Sequence, residues 1–231
     1  MRTSPDRIEQ ARRNLINSIE TLNKASNKPY MCITLWADLL GFSKHLNQFD
    51  FNSETINENL GLKRISLFHE ASILAMKDFV TIVQLNDATI FSADLMDGNP
   101  DEIITNFFAL ADYFWEVSNI ADKEIGGLGI RGVVSIGNRY SLRGNFGWTP
   151  TNKEIISPNF ASPPAIQMNM PFAKSYKLES SGLLRKEPAL YIEEDIFINY
   201  RPAYIQNWSN DELLIANDLG NYRLVRYENE N

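Results

Sequence analysis

With 231 residues, 44% of them hydrophobic and 22% charged, the chain has the composition of a globular protein with room for one sizeable core, which excludes a disordered chain. A net charge of -7 excludes a broad electrostatic surface for nucleic acid, because phosphate backbones are held by clustered cations, yet it permits a small nucleotide held through metal and a few Lys or Arg. The lone Cys32 excludes an internal disulfide, and the absence of a leader pattern or a long apolar stretch predicts a cytoplasmic protein without a membrane span.

Ile8, Ala11, Leu15, Ile19 and Leu22 recur at helical spacing after Ser4-Pro5-Asp6, so an amphipathic helix is expected over 4–25. Residues 1–28 are expected to pack on a body made of residues 29–231. The run from Met31 to Ala37 predicts a strand with Cys32 buried and reduced, and Gly41 lets the chain turn sharply after it. Asn52-Ser53-Glu54 then precedes a helix through Ile65, Phe68, Ala71, Ala75 and Met76. The runs Val80–Leu85 and Ala88–Phe91 flank Asn86-Asp87 and predict a tight hairpin. A helix over about 100–121 follows, its stripe of Phe107, Phe108, Ala111, Phe114 and Trp115 reading as core. Residues 128–147 read as two strands joined near Gly137-Asn138, and a Pro-containing loop over 157–171 leads into a helix over 173–181. From Ala189 onward the short apolar bursts predict further strands and turns. Strand, helix, hairpin, helix, strand and helix in this order predict an α+β sandwich with a ferredoxin-like core.

Two aspartates stand inside apolar, strand-like sequence: Asp38 at the end of the first strand and Asp87 at the hairpin tip. A buried carboxylate is costly unless a cation or several donors compensate it. On neighbouring strands the pair would share divalent metal, a geometry suited to phosphoryl chemistry on a nucleoside triphosphate. Taken singly, each acid reads as an ordinary turn residue facing water. His45 and His69 read as a surface imidazole and a structural helix residue, and with one Cys they leave too few ligands for a structural zinc site.

These residues resemble a family. Asp-Leu-Leu-Gly-Phe-Ser at 38–43 resembles the first metal motif of class III nucleotidyl cyclases, and Asn86-Asp87 resembles the hairpin with their second metal aspartate. Gly129-Ile-Arg-Gly-Val-Val-Ser-Ile-Gly137 and Ala173-Lys-Ser-Tyr-Lys-Leu-Glu-Ser-Ser-Gly182 are similar to the family's later strand and helix. The four segments keep the family's order over residues 30–185. The chain looks most like the pyrimidine nucleotide cyclases of the bacterial anti-phage Pycsar system. The resemblance implies a class III cyclase-like sandwich of ferredoxin type, with the N-terminal helix and the C-terminal strands as additions. It also implies conversion of CTP or UTP to the 3′,5′-cyclic monophosphate and pyrophosphate, as a second-messenger signal in defence against phage.

Two divalent ions, Mn²⁺ or Mg²⁺, would then be held by Asp38, Asp87 and the backbone carbonyl of Leu39. The turn through Leu40, Gly41 and Phe42 would offer backbone N–H groups to phosphate oxygens. Lys177 stands where the family has its transition-state arginine, with Lys174 on the same helix face and Ala173 in place of an asparagine. Lys lacks the planar fork of Arg, so Arg131, Arg139 and above all Arg143 are further candidate cations. The stretches 81–85 and 164–169 lack the Lys and Asp by which purine-specific members read adenine. Gln84, Gln167 and Asn169 offer the donor and acceptor that a pyrimidine edge needs. A homodimer with its sites at the interface is implied, and a catalytically weak or inactive cyclase-like binding module is the alternative.

Overall fold

The computed structural model describes residues 5–24, 29–46, 58–95, 99–140, 169–200, 212–215 and 217–227. It divides into two compact units, residues 1–29 with 140–168 and residues 30–139 with 169–231. In the first unit the expected helix, α1, spans Pro5–Lys24, with Ile8 and Ile16 exposed.

The second unit is built on β1 (Tyr30–Leu39), the short α2 (Phe42–Leu46), α3 (Leu60–Leu74), β2 (Thr81–Gln84), β3 (Ala88–Asp94) and α4 (Pro100–Glu124). It continues through β4 (Ile130–Arg139), α5 (Met170–Ser180), β5 (Ala189–Glu193), α6 (Glu194–Tyr200), β6 (Glu212–Ile215), a 3-10 turn (Asn217–Leu219) and β7 (Asn221–Tyr227). The described strands form one sheet in the order β2-β3-β1-β4-β5-β7-β6. Its β2-β3-β1-β4 portion is antiparallel throughout, with α3 crossing from β1 to β2 and α4 from β3 to β4, which is the ferredoxin-like core expected from the sequence.

β1 lies inside the sheet, between β3 and β4, and is buried on both faces, which explains its nearly continuous apolar run. Its odd-numbered residues Ile33, Leu35, Ala37 and Leu39 join Phe68, Phe107, Phe108, Phe114 and Trp115 in the core beneath α3 and α4. Its even-numbered residues face the other way, where Trp36 meets the rings of Phe172 and Tyr176 on α5. A polar layer lies on this second face: Thr34 and Ser92 share Asn169, and Ser135 bonds Ser175 and Tyr222. Cys32 lies there fully buried, its thiol pushed up to about 12 by burial first and by the charge of Asp94 second.

Each long helix of this unit starts at an asparagine. Asn59, Asn99 and Asn169 accept backbone N–H groups from Leu62, Asp101 and Phe172, satisfying donors that the first helical turn leaves open. Residues 52–54, expected to lead into α3, lie outside the described residues.

Two expectations change. Gly137-Asn138 does not join two strands: β4 runs straight through it, with Gly137 opposite Cys32 and Arg139 opposite Tyr30, because the pairing with β1 continues past the glycine. In the tail, Glu194–Tyr200 is a helix rather than a strand or turn, with Ile196 in the core.

Candidate active site at the end of β1

The hairpin forms as its sequence suggests: Leu85 N–H donates to Ala88 O at 2.8 Å, enclosing Asn86 and Asp87 as a two-residue tip. β3 then runs back beside β1 and sets Ala88 opposite Asp38. The Leu39 N–H donates to Asp87 O at 2.8 Å, which ties the tip to the end of β1. On the other side of β1, Arg131 of β4 stands opposite Asp38. Both aspartates are half-buried.

The electrostatics follow from this crowding. Burial pushes the Asp38 carboxyl up from 3.8 to about 7, and the neighbouring charges of Glu179 and Asp87 add to the rise, while Arg131 and Arg64 oppose it. Arg131 is itself engaged, pairing with Glu179 on α5 and donating to Arg185 O at 2.9 Å. Three carboxylates therefore act on one small volume with one arginine already shared. A divalent cation suits such a place. Among the described residues no group of three His, Cys, Asp or Glu side chains converges as a metal site. Two carboxylates and the Leu39 carbonyl are hard oxygen donors, the partial set on which Mg²⁺ and Mn²⁺ sit when phosphate and water complete the shell.

The turn after Leu39 is tightly held. Gly41 has φ 68°, a left-handed conformation that favours glycine, and a Cβ there would stand 2.7 Å from Cδ1 of the exposed Leu128 side chain, which would have to turn aside. Lys44 N–H donates to Gly41 O as α2 begins, and Phe42 is anchored in the core. Leu40 is a correction: its N–H donates to Gly129 O at 3.0 Å, so that amide is committed to the fold and is not open to a phosphate oxygen.

Three further expectations are corrected by geometry. Gln84 does not face the aspartates: it pairs with Thr89 on the α3 side of the sheet and donates to Ser72 Oγ at 2.7 Å and His69 O at 2.9 Å. The period-2 alternation of β2 turns Val83, not Gln84, toward the side of Asp38. Lys174 is held by the buried Glu193 at 2.5 Å and leans on Ile136 O, so the two lysines do not act as a pair on one open face. Asn169 is consumed by Thr34, Ser92 and its cap on α5.

Lys177 is exposed on α5, and Ala173 lies one turn before it, also exposed. Arg139 forms a two-pronged pair with Asp94 at the far end of β1. His69 Nε2 lies 2.6 Å from Leu85 O and braces the hairpin. Arg143, Gln167 and the side chain of His45 lie outside the described residues.

Glu179 and Arg64 are the neighbours of Asp38 that the sequence reading did not assign. Glu179 follows Lys177 by two residues and projects beside Arg131. Arg64 occupies the stripe Gly61, Arg64, Phe68, Ala71 on the buried side of α3, a charged residue where the helical period calls for an apolar one.

No protein-family model and no curated protein matches the chain. Among solved structures it is similar to the guanylyl cyclase domain of the RhoGC fusion protein from the aquatic fungus Blastocladiella emersonii, in a monomeric double-mutant form. The TM-score is 0.52 at 14% identity, over 87% of this chain and 98% of that one. It is also similar to the guanylyl cyclase Cya2, with a TM-score of 0.52 at 11% identity, over 87% of this chain and 95% of that one. At these identities the likeness is one of fold, and the chain has the α+β fold of a class III nucleotidyl cyclase domain.

Proposed function

We propose that the chain is a nucleotidyl cyclase that closes the 3′-hydroxyl of CTP or UTP onto its own α-phosphorus, releasing pyrophosphate. The observation that carries this reading is the junction of Asp38 and Asp87 at the end of β1, with a carboxyl whose burial and acidic neighbours call for a cation. Two divalent ions held there would lower the pKa of the attacking hydroxyl and neutralise the triphosphate and the departing pyrophosphate. The chain's own part is to place those oxygens. Asp38, Asp87 and the Leu39 carbonyl hold the charge, and the amides of Gly41 and Phe42 bind phosphate. Lys177, exposed on α5, serves as the cation for the transition state, from the second subunit of a homodimer. Arg143 would assist it.

The choice of base is the finer part of the proposal. With Gln84 and Asn169 engaged, Gln167 remains as the proposed reader of a pyrimidine edge. The solved relatives are guanylyl cyclases by name, so GTP is the competing substrate. A cyclic pyrimidine nucleotide would act as a second messenger, which the resemblance to the Pycsar cyclases links to anti-phage defence.

A second reading is a cyclase-like module that binds nucleotide without turning it over. Three internal ion pairs favour it: Arg131 with Glu179, Arg139 with Asp94, and Lys174 with Glu193 each commit a cation to a carboxylate of the same chain. Incubation of the purified protein with each of ATP, GTP, CTP and UTP plus Mn²⁺, followed by mass spectrometry, separates these outcomes. Cyclic CMP or cyclic UMP supports the proposal, and cyclic GMP retains the cyclase while refuting the base assignment. Metal-dependent binding without any cyclic product establishes the module.

A further inference from the structure

Arg64 and Asp122 are a fully buried ion pair that the proposed chemistry does not use. Arg64 Nε donates to Asp122 Oδ1 at 2.7 Å and Arg64 Nη2 to Asp122 Oδ2 at 2.9 Å, a bidentate pair joining α3 to the last turn of α4. Neither side chain ends there. Arg64 Nη2 also donates to Leu40 O at 2.9 Å, and Asp122 Oδ2 accepts the Gly129 N–H at 2.7 Å. Gly129 O in turn accepts the Leu40 N–H at 3.0 Å. Both polar backbone groups of Leu40 are thus held through one closed circuit. That circuit holds the chain where Asp38 gives way to the Gly41 turn.

Stability alone is a weak reason for such a pair. Two buried charges lose most of their mutual attraction to desolvation, and apolar residues of similar volume often serve the core as well. Here one arginine donor, Nη1, is buried without a partner among the described residues, an added cost that plain packing would avoid. The planar fork instead spans two acceptors on different elements, a task for which a lysine is too compact.

We propose that Arg64 and Asp122 are positioning residues: they clamp Leu40 and so fix the Leu39–Phe42 turn against the metal end of β1. For its consequence at the metal this rests on the function proposed above, and the clamp itself has a separate readout. The pair acts from behind the sheet end and touches no substrate.

Two variants test it. Arg64→Lys keeps a cation against Asp122 and cannot bridge to the Leu40 carbonyl. Arg64→Met with Asp122→Asn removes both charges and keeps an acceptor for the Gly129 N–H, which guards against a failure to fold. The measurements are site-resolved amide hydrogen exchange, thermal melting, and titration with Mn²⁺ alone. The expected result is a Tm near that of the wild type for the double variant, with faster exchange confined to Leu40 and its neighbours. Affinity for Mn²⁺ should fall about tenfold, the usual cost of removing an outer support of a metal site. Unchanged exchange at Leu40 in both variants would overturn the clamp, as would exchange accelerated uniformly across α3 and α4 with a lowered Tm. Faster exchange at Leu40 with Mn²⁺ affinity intact would overturn its role at the metal. A wild type that takes up no Mn²⁺ would instead count against the proposed function, and Leu40 exchange would still decide whether the pair holds the turn.

Discussion

The Leu39 amide donates to the Asp87 carbonyl at 2.8 Å, and this bond extends the β1–β3 ladder past Asp38 and Ala88 to the hairpin tip, where the two candidate metal aspartates stand. The charge of Asp87 is felt at the Asp38 carboxyl. Asp38→Ala and Asp87→Ala are each expected to lower metal-dependent turnover by at least about 10² to 10³, since each removes charge that stabilises the transition state. Circular dichroism should show both variants folded. Full activity in either one refutes the shared site.

The raised Asp38 carboxyl predicts a pH dependence of stability with a definite sign. Its folded value of about 7 lies above the ordinary 3.8, so across that interval the folded state keeps a proton that the unfolded chain has released. Stability of the metal-free protein contributed by this group is present in acid and falls as pH rises toward 7. Asp38→Asn removes the ionisation. In EDTA its Tm should match the wild type at about pH 4 and exceed it at about pH 8. Added Mn²⁺ should raise the wild-type Tm and leave the variant unmoved. Superimposable melts at the higher pH would show that ionised Asp38 carries no cost.

The two lysines of α5 should separate cleanly. Lys174→Ala leaves Glu193, which is buried, with the Ile136 N–H as its remaining donor among the described residues, and is expected to cost about 1–3 kcal/mol in denaturant unfolding. Lys177→Ala touches an exposed side chain and should leave stability within about 0.5 kcal/mol while lowering turnover. A stability loss at Lys177, or none at Lys174, would reverse the assignment.

Gly41 carries a steric prediction. At φ 68° with Leu128 Cδ1 2.7 Å from where a Cβ would stand, Gly41→Ala should cost about 1–2 kcal/mol from the left-handed backbone alone. Its Mn²⁺ affinity should fall with it. An alanine variant of unchanged Tm would show that the turn relaxes freely.

What was legible in the sequence is what local chemistry states. Asn86-Asp87 between two apolar runs is a hairpin instruction complete in itself, and Gly41 after a strand is a turn. The ferredoxin-like order of elements also follows from the periodicities. The face that a side chain takes is another matter. Gln84 has the right chemistry for a base, yet its direction is set by the pairing of β2 with β3, which places it beside Thr89 and under α3. Glu179 and Arg131 are 48 residues apart and meet only because α5 lies across β4. Arg64 was visible as a charge on an apolar stripe. Its reason, a carbonyl 24 residues earlier, was not.

The last prediction tests the dimer and the mechanism together. The fold places Asp38 at the end of β1 and Lys177 on the exposed side of α5, and the proposal has the lysine of one subunit serve the aspartates of the other across a two-fold axis. Asp38→Ala protein and Lys177→Ala protein, each inactive or nearly so, should therefore recover activity on mixing. In a heterodimer one site joins the intact Asp38 of the second variant to the intact Lys177 of the first, while the companion site carries both lesions. One working site per heterodimer sets the ceiling, and titrating one variant into the other should trace the statistics of subunit exchange. Exchange is read independently, by mass spectrometry of isotope-labelled and unlabelled subunits. If subunits exchange and no activity returns, both groups act within one chain or Lys177 has no part in the reaction. A monomer that retains full turnover at high dilution would refute the shared site altogether.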